Sequence, residues 1–585
     1  MKKYSCLILS IVMVFSTMTL GLCSSATPVF FEEFESSGMN TALETHGMFF
    51  AGMHRTIDMA FDEEWVLDQK LLASDGASDD WFGFSIDIDG EYAIIGAQWD
   101  DVNGIVNAGS AYIFHYDGEH WVEEAKLSAS DGEEGDWFGH SVSISGQYAF
   151  ISAVSDDTVG AVSGSVYVFK HEGTDWIEEQ KILVQPDGGA SAIDFGWSVC
   201  IEEDYALVGA INDDDCGDSS GSTYVFQYDD TRWNQVQKLL PADGKAWAFF
   251  GYCISIDGDS AIIGARCDEY TGAAYIFTLE GTTWVETQKL VAADGDGGDY
   301  FGKAVFLKGQ YAIVGAHYDD DNGEESGSAY IFYYNGSSWI QQAKIIASDG
   351  EAEEEFGDAV YINDEYALVG VQFDDDQGMY SGSAYLFKRD GAIWVEQAKL
   401  LPPDGGYWQQ FGNAVFMTDE SAFVCSLYDD ENGLYSGSTY IYKKIVREPD
   451  LECTGSLSWD AIEPEETVTG DFLVENVGDE GSLLNWEIQT YPAWGTWTFS
   501  PDAGAGLPTD KGTTVTVSVV APAEKNTEFR GNVTVVNQDD PSDYCIIPVY
   551  LKTPVKHDVS FQWFFERLFE RFPHAFPMLR YLLGY

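Results

Sequence analysis

From residue 65 to residue 444, short runs with apolar and polar residues alternating follow one another in a fixed order. FGHSVSI stands for the first kind of run, YAIIGA for the second, GSAYIF for the third and WVEEAKL for the fourth. Val, Ile, Tyr and Phe fill the runs while Gly, Asp and Asn fill the gaps, which predicts strands and no helix in this region. The set recurs with a Phe-Gly pair at Phe82, Phe138, Phe195, Phe250, Phe301, Phe356 and Phe411, spaced by 51 to 57 residues. Seven units of four strands are therefore expected. One such unit cannot bury both faces of its sheet, but seven set radially can, and that predicts a seven-bladed β-propeller. The fourth run begins at Trp65, Trp121, Trp176, Trp233, Trp284, Trp339 and Trp394, so its first copy precedes the first Phe-Gly and none follows the last. Residues Trp65 to Leu72 should therefore pair antiparallel with the STYIYKK run, finish the last blade and remove an open edge.

The elements KL-x-ASDG, FG-x-SV, YAIIGA, DDDNG and SGSAYIF, spread over residues 65 to 444, resemble the FG-GAP repeat family. This is the unit of the integrin α-subunit propeller, in the variant common in exported bacterial and archaeal proteins. The resemblance implies a propeller at the cell surface or outside it, with a role in recognition. In integrins calcium sits in an acidic loop between the first and second strands of a blade. Here that link is a tight turn such as ISGQY or IDGEY, so integrin ligands do not transfer position by position.

In a meandering blade the fourth-to-first and second-to-third links leave from one face of the disc. Both are long and acidic here, with 19 acids in the first set and 21 in the second, against Lys245 and Arg266 as the basic residues. That face should carry a concentrated negative potential and be the functional one. Runs of carboxylates followed by Asn or Gln and Gly supply hard oxygen ligands on a sharp turn, which points to Ca²⁺ as the expected cofactor. The candidate ligands are Asp319 with Asp321, Asp374 with Asp376, and Asp213 with Asp215. Asp429 with Asp430, Asp100 with Asp101, and Asp156 with Asp157 complete the set. The competing reading is that these residues only make turns. Trp81, Trp137, Trp247, Tyr300, Tyr407 and Trp408 lie near the same links, placed either to stack on a sugar or peptide or to fill gaps between blades. A lysine recurs in every fourth run, at Lys70, Lys126, Lys181, Lys238, Lys289, Lys344 and Lys399, where a charge on an outer edge discourages sheet-to-sheet association.

Composition narrows the partners. The 585 residues carry 98 acids against 29 Lys and Arg, a formal charge of −69, which repels nucleic acid and anionic lipid. Residues 1–26 read as a secretory signal, with Lys2 and Lys3, an apolar run from Cys6 to Leu22 and the small residues Ser24 to Ala26; residues 27–60 follow as a linker. No later stretch is long and apolar enough to span a membrane. In an oxidising compartment Cys453 and Cys545 are the expected disulfide, and seven cysteines after the signal leave at least one unpaired. Beyond the propeller (61–446), residues 450–554 alternate as an immunoglobulin-like β-sandwich does. Residues 559–585 place Phe561, Phe564, Phe565, Leu568 and Phe572 at helical spacing, an amphipathic tail. The fold class is thus all-β, a propeller followed by a sandwich and a short helix.

The expected function is a secreted or cell-surface recognition or adhesion module that binds a surface protein or glycan through its acidic face. No HExxH pair, no GxSxG elbow between a strand and a helix and no phosphate loop is present, so a non-enzyme is expected. An exported polysaccharide-acting lyase or glycosidase on the same scaffold is the alternative. It requires one blade to differ chemically from the rest.

Overall fold

The computed structural model describes residues 63–160, 162–184, 192–509, 511–554, 561–574, 577, 578 and 581. The signal and linker expected in residues 1–60 lie outside the described residues. Seven four-stranded antiparallel sheets follow one another. The first blade runs Phe82–Asp89, Tyr92–Ala97, Ser110–Tyr116 and Trp121–Leu127, and the next five repeat it in chain order. The seventh takes Phe411–Met417, Ser421–Ser426 and Ser438–Val446 from the end of the repeat region. Its outer strand is Glu63–Leu71, from the start. Trp65 faces Lys444 and Leu71 faces Thr439 across that antiparallel pair, with a bulge between Leu67 and Gln69. The offset of the Trp and Phe-Gly registers thus closes the ring.

The sequence packs the blades by one device repeated seven times. The Phe of each Phe-Gly is almost fully buried and meets edge-on the Tyr of the third strand, as Phe138 does Tyr167 at 5.3 Å. Its backbone N–H crosses to the preceding blade. Phe138 N donates to Ala108 O at 3.0 Å and Phe411 N to Ser381 O at 3.0 Å, and the other five junctions carry the same bond. The following glycine lets two blades touch backbone to backbone. Gly139 sits at φ 90°, and a Cβ there would lie 2.2 Å from Ser110 O. One apolar cluster fills each junction, such as Leu127, Phe138, Ile151 and Tyr167 between the first and second blades. The outer strands are latched by glutamines. Gln237 Nε2 donates to Trp284 O at 2.7 Å, and Trp284 N returns a bond to Gln237 Oε1 at 2.9 Å.

After the propeller, two further sheets of four and five strands, from Leu451–Thr454 to Tyr544–Lys552, enclose a core that includes Phe472, Trp486, Val517 and Ile547. Cys453 and Cys545 join these sheets as a disulfide, their Cα atoms 5.7 Å apart. One pairing is parallel, Leu457–Trp459 alongside Val549–Leu551. A helix, Phe561–Arg571, follows, and it buries Phe569 and exposes Trp563 and Phe564. No helix among the described residues is long and apolar enough to cross a membrane.

Candidate functional site

Both families of long links leave the blades on one face, where two arrangements meet, one repeated and one not. The repeated arrangement is built on the first acid of each second-to-third link. Asp100, Asp156, Asp213, Asp268, Asp319, Asp374 and Asp429 are all buried. The third strand begins beneath each of them and supplies hydroxyl donors: Ser383 Oγ donates to Asp374 Oδ2 at 2.8 Å and Tyr385 OH at 3.3 Å. The fourth strand then brings its lysine. Lys399 Nζ lies 2.6 Å from Asp374, 2.7 Å from Asp376 and 3.0 Å from Asp349 of the preceding link, and 5.1 Å from the centre of the Tyr385 ring.

Three of the expected pairs are thus drawn together on a lysine ammonium, and in the other three the first acid alone is. Lys344 holds Asp319 and Asp321, Lys238 holds Asp213 and Asp215, and Lys70 holds Asp429 with Glu431. Lys126 holds Asp100 and Lys181 holds Asp156, each also paired with an acid of the preceding link. The intervening acids cap their own loops. Asp101 Oδ1 accepts from Asn107 N at 2.8 Å, Asp430 Oδ1 accepts from Tyr435 N at 2.9 Å, and Asp157 turns the chain through its carbonyl. The lysines are therefore not solvated edge charges, as their spacing suggested; they neutralise the acidic loops from within. Burial pushes the Asp156 carboxyl up, but Lys181 together with the Thr158 and Ser165 donors outweighs it and brings it down to about 2. Calcium has the right donors here, yet the donors already hold a cation. As built, the cradles do not fit the metal without displacing lysine.

The second arrangement lines the central channel, and it is not repeated. The residue after each Phe-Gly points inward around a cavity of about 320 Å³. Going round the ring these residues are Phe84, His140, Trp197, Tyr252, Lys303, Asp358 and Asn413, all different. The residue before each pair is held at positive φ, as Trp81 (59°), Phe249 (55°) and Glu355 (61°) are. One side of the mouth is an aromatic wall, with ring centres of Phe84 and His140 5.1 Å apart, His140 and Trp197 4.9 Å, and Trp197 and Tyr252 5.4 Å.

The other side is charged. Lys303 bonds Asp358, and the Arg266 guanidinium lies 4.4 Å from the centre of the Tyr252 ring, its Nε buried without a hydrogen-bond partner. His317 stands beside them, its Nδ1 likewise unpartnered. Burial, with help from Lys303, depresses the His317 imidazole to about 3. Burial also raises the Asp358 carboxyl, but Lys303 and then His317 more than offset it and hold it low. Burial followed by the Asp358 charge pushes Glu355 up to about 8.

Sequence reasoning missed this site, although its signal was present as the one position that differs in every copy of an otherwise uniform motif. The second-to-third link RCDEYTGA, shorter than those of the other blades, carries Arg266 into the charged side. Of the aromatics expected on this face, Trp81 stacks on Trp99 at 3.6 Å, and Trp137 and Tyr300 are half-buried. Trp247, Tyr407 and Trp408 stand in solvent, as does Tyr270.

No curated protein matches the sequence. Among solved structures, a putative 6-phosphogluconolactonase from Bacteroides fragilis NCTC 9343 is similar at 12% identity, covering 55% of this chain and 85% of its own, with a TM-score of 0.39. A second, from Bacteroides uniformis ATCC 8492, shows 10% identity, 55% and 86% coverage and a TM-score of 0.39. The FG-GAP repeat description matches seven segments: residues 65–114, 121–169, 176–226, 233–277, 284–332, 339–387 and 394–442. Each segment joins the outer strand of one blade to the three inner strands of the next. With more than half of its length so matched, the chain belongs to the FG-GAP repeat family.

Proposed function

We propose that this protein is an exported recognition module that binds a surface glycan at the channel mouth on the acidic face. The observation that carries the reading is the contrast between seven equivalent Asp–Lys cradles, which serve the fold, and seven non-equivalent channel residues, which serve a particular ligand. Aromatic faces are what sugar rings stack on, and a few convergent polar groups fix orientation. Trp247, Tyr270, Tyr407 and Trp408 extend such faces outward from the same side. The net negative field of this face disfavours polyanions, so a neutral or sparsely charged glycan fits it better. A glycan array probed with the parent and with Trp408→Ala and Trp197→Ala tests the reading. Specific binding by the parent, weakened at least tenfold in both variants, is expected. Binding that survives both substitutions overturns it.

One observation favours an enzyme as the second reading. Glu355 and Asp358, two carboxyls with opposed environments, come within 4.8 Å of each other and of the buried His317, as an acid–base pair requires. Reducing-end release from polysaccharides, abolished in Glu355→Gln, would replace recognition by turnover.

A further inference from the structure

Each blade junction presents three positions to the channel mouth on the same backbone frame: the residue after one blade's second strand, and the two residues flanking Phe-Gly in the next blade. The repeat therefore supplies its own controls. The equivalent trios are Gln98, Trp137 and His140 at one junction, Ile211, Phe249 and Tyr252 at another, and Gln372, Gln410 and Asn413 at a third. Between the fifth and sixth blades the trio is His317, Glu355 and Asp358. One ligand-capable atom of each lies within 4.8 Å of the others, the one such group among the described residues. His317 is 4% exposed and its Nδ1 has no hydrogen-bond partner. A buried polar atom left unpaired costs free energy, which a bound ion would recover.

We propose that His317, Glu355 and Asp358 bind a divalent transition metal ion of the zinc type, with an open coordination position facing the channel. An imidazole beside two carboxylates suits zinc and its neighbours, whereas calcium and magnesium take oxygen alone. Three protein ligands leave a fourth position free, as in sites that bind water or a ligand group on the metal. Lys303 bonds Asp358 through Oδ1, and Arg266 lies beside it, so the ion must share Asp358 with an ammonium. The metal and Lys303 therefore compete, and removing Lys303 should favour the metal. This site is separate from the Asp–Lys cradles and does not depend on the proposed ligand being a glycan.

The test uses the full chain, stripped with a chelator, its thiols blocked by alkylation because free cysteines also bind zinc. Calorimetric titration with zinc alone should give one ion per chain. His317→Ala should weaken it at least tenfold, with Glu355→Gln as the substitute if that variant does not fold. Lys303→Met should bind zinc more tightly than the parent and show a larger zinc-dependent rise in Tm. Asp374→Asn, in an acidic loop, should leave zinc binding unchanged. No stoichiometric binding by the parent, equal affinity in His317→Ala and Glu355→Gln, or loss on Asp374→Asn instead would each overturn the assignment.

Discussion

At the scale of single residues the acidic face holds two kinds of buried carboxyl with opposite responses to pH. Asp156 is held down to about 2, because Lys181 and the Thr158 and Ser165 donors together outweigh its burial. Asp80 and Asp299 have no such partner; each accepts one backbone N–H, from Ala77 at 2.6 Å and Asp296 at 2.7 Å, and burial pushes both up to about 6 from an ordinary 3.8. A depressed carboxyl gives stability that is present above pH 3.8 and lost as pH falls through about 2. A raised one gives stability that is present below pH 3.8 and lost as pH rises through about 6. Asp80→Asn and Asp299→Asn keep the acceptor oxygen without the charge. Each should raise stability by about 1–2 kcal/mol at pH 7.5 and change it little at pH 4. Urea melts at the two pH values check this, and equal shifts at both would show that the charge is not the cause. These pairings were hidden in the sequence because Lys181 and Asp131 stand one repeat apart, where every repeat looks alike. The channel was legible in principle, since Phe84, His140, Trp197, Tyr252, Lys303, Asp358 and Asn413 are marked by their differences.

At the scale of elements, legibility followed burial. The second strands, such as Tyr92–Ala97, are almost fully buried and read as apolar runs without alternation, while the outer strands keep a polar side and alternate. Repetition resolved what either pattern alone would leave open between helix and strand. Pairing was legible at one place, the ring closure, because the Trp and Phe-Gly registers are out of step by one strand. The glutamine latches between outer strands were not, since a Gln in a strand carries no sign of which backbone it meets. The closure has a testable consequence. Deleting residues 61–72 removes the partner of Ser438–Val446 and uncovers Phe423 and Ile441, which pack with Leu71. The truncated chain should lose cooperative unfolding and self-associate through the exposed edge, as measured by thermal melts and size-exclusion chromatography. A melt like that of the parent would mean that the seventh blade is complete with three strands.

At the scale of the whole molecule, the charge of −69 is not spread evenly, and the acidic face resolves its own repulsion by placing a lysine inside each acidic cradle. The buried first acid of each link does gather with neighbouring acids, but around a cation the chain carries with it, while Asp101, Asp157 and Asp430 turn back on their own loops. For the parent protein the consequence is that calcium, magnesium and sodium chloride at matched ionic strength should raise Tm alike, by screening the remaining charge. Lys399→Met separates the two explanations within one blade. It leaves Asp349, Asp374 and Asp376 with no ammonium at their centre, and truncating one partner of a buried ion pair costs about 3–5 kcal/mol. Those oxygens, with the Tyr385 hydroxyl above Asp374, then form a flexible hard-oxygen site of the kind that calcium accepts and magnesium, with its strict octahedron, does not. Calcium should therefore recover much of the lost Tm in Lys399→Met while equal magnesium recovers little. A calcium-selective rise already present in the parent would show that the metal displaces lysine in the native protein. Failure of calcium to rescue the variant would show that the three aspartates do not make a metal site even when freed.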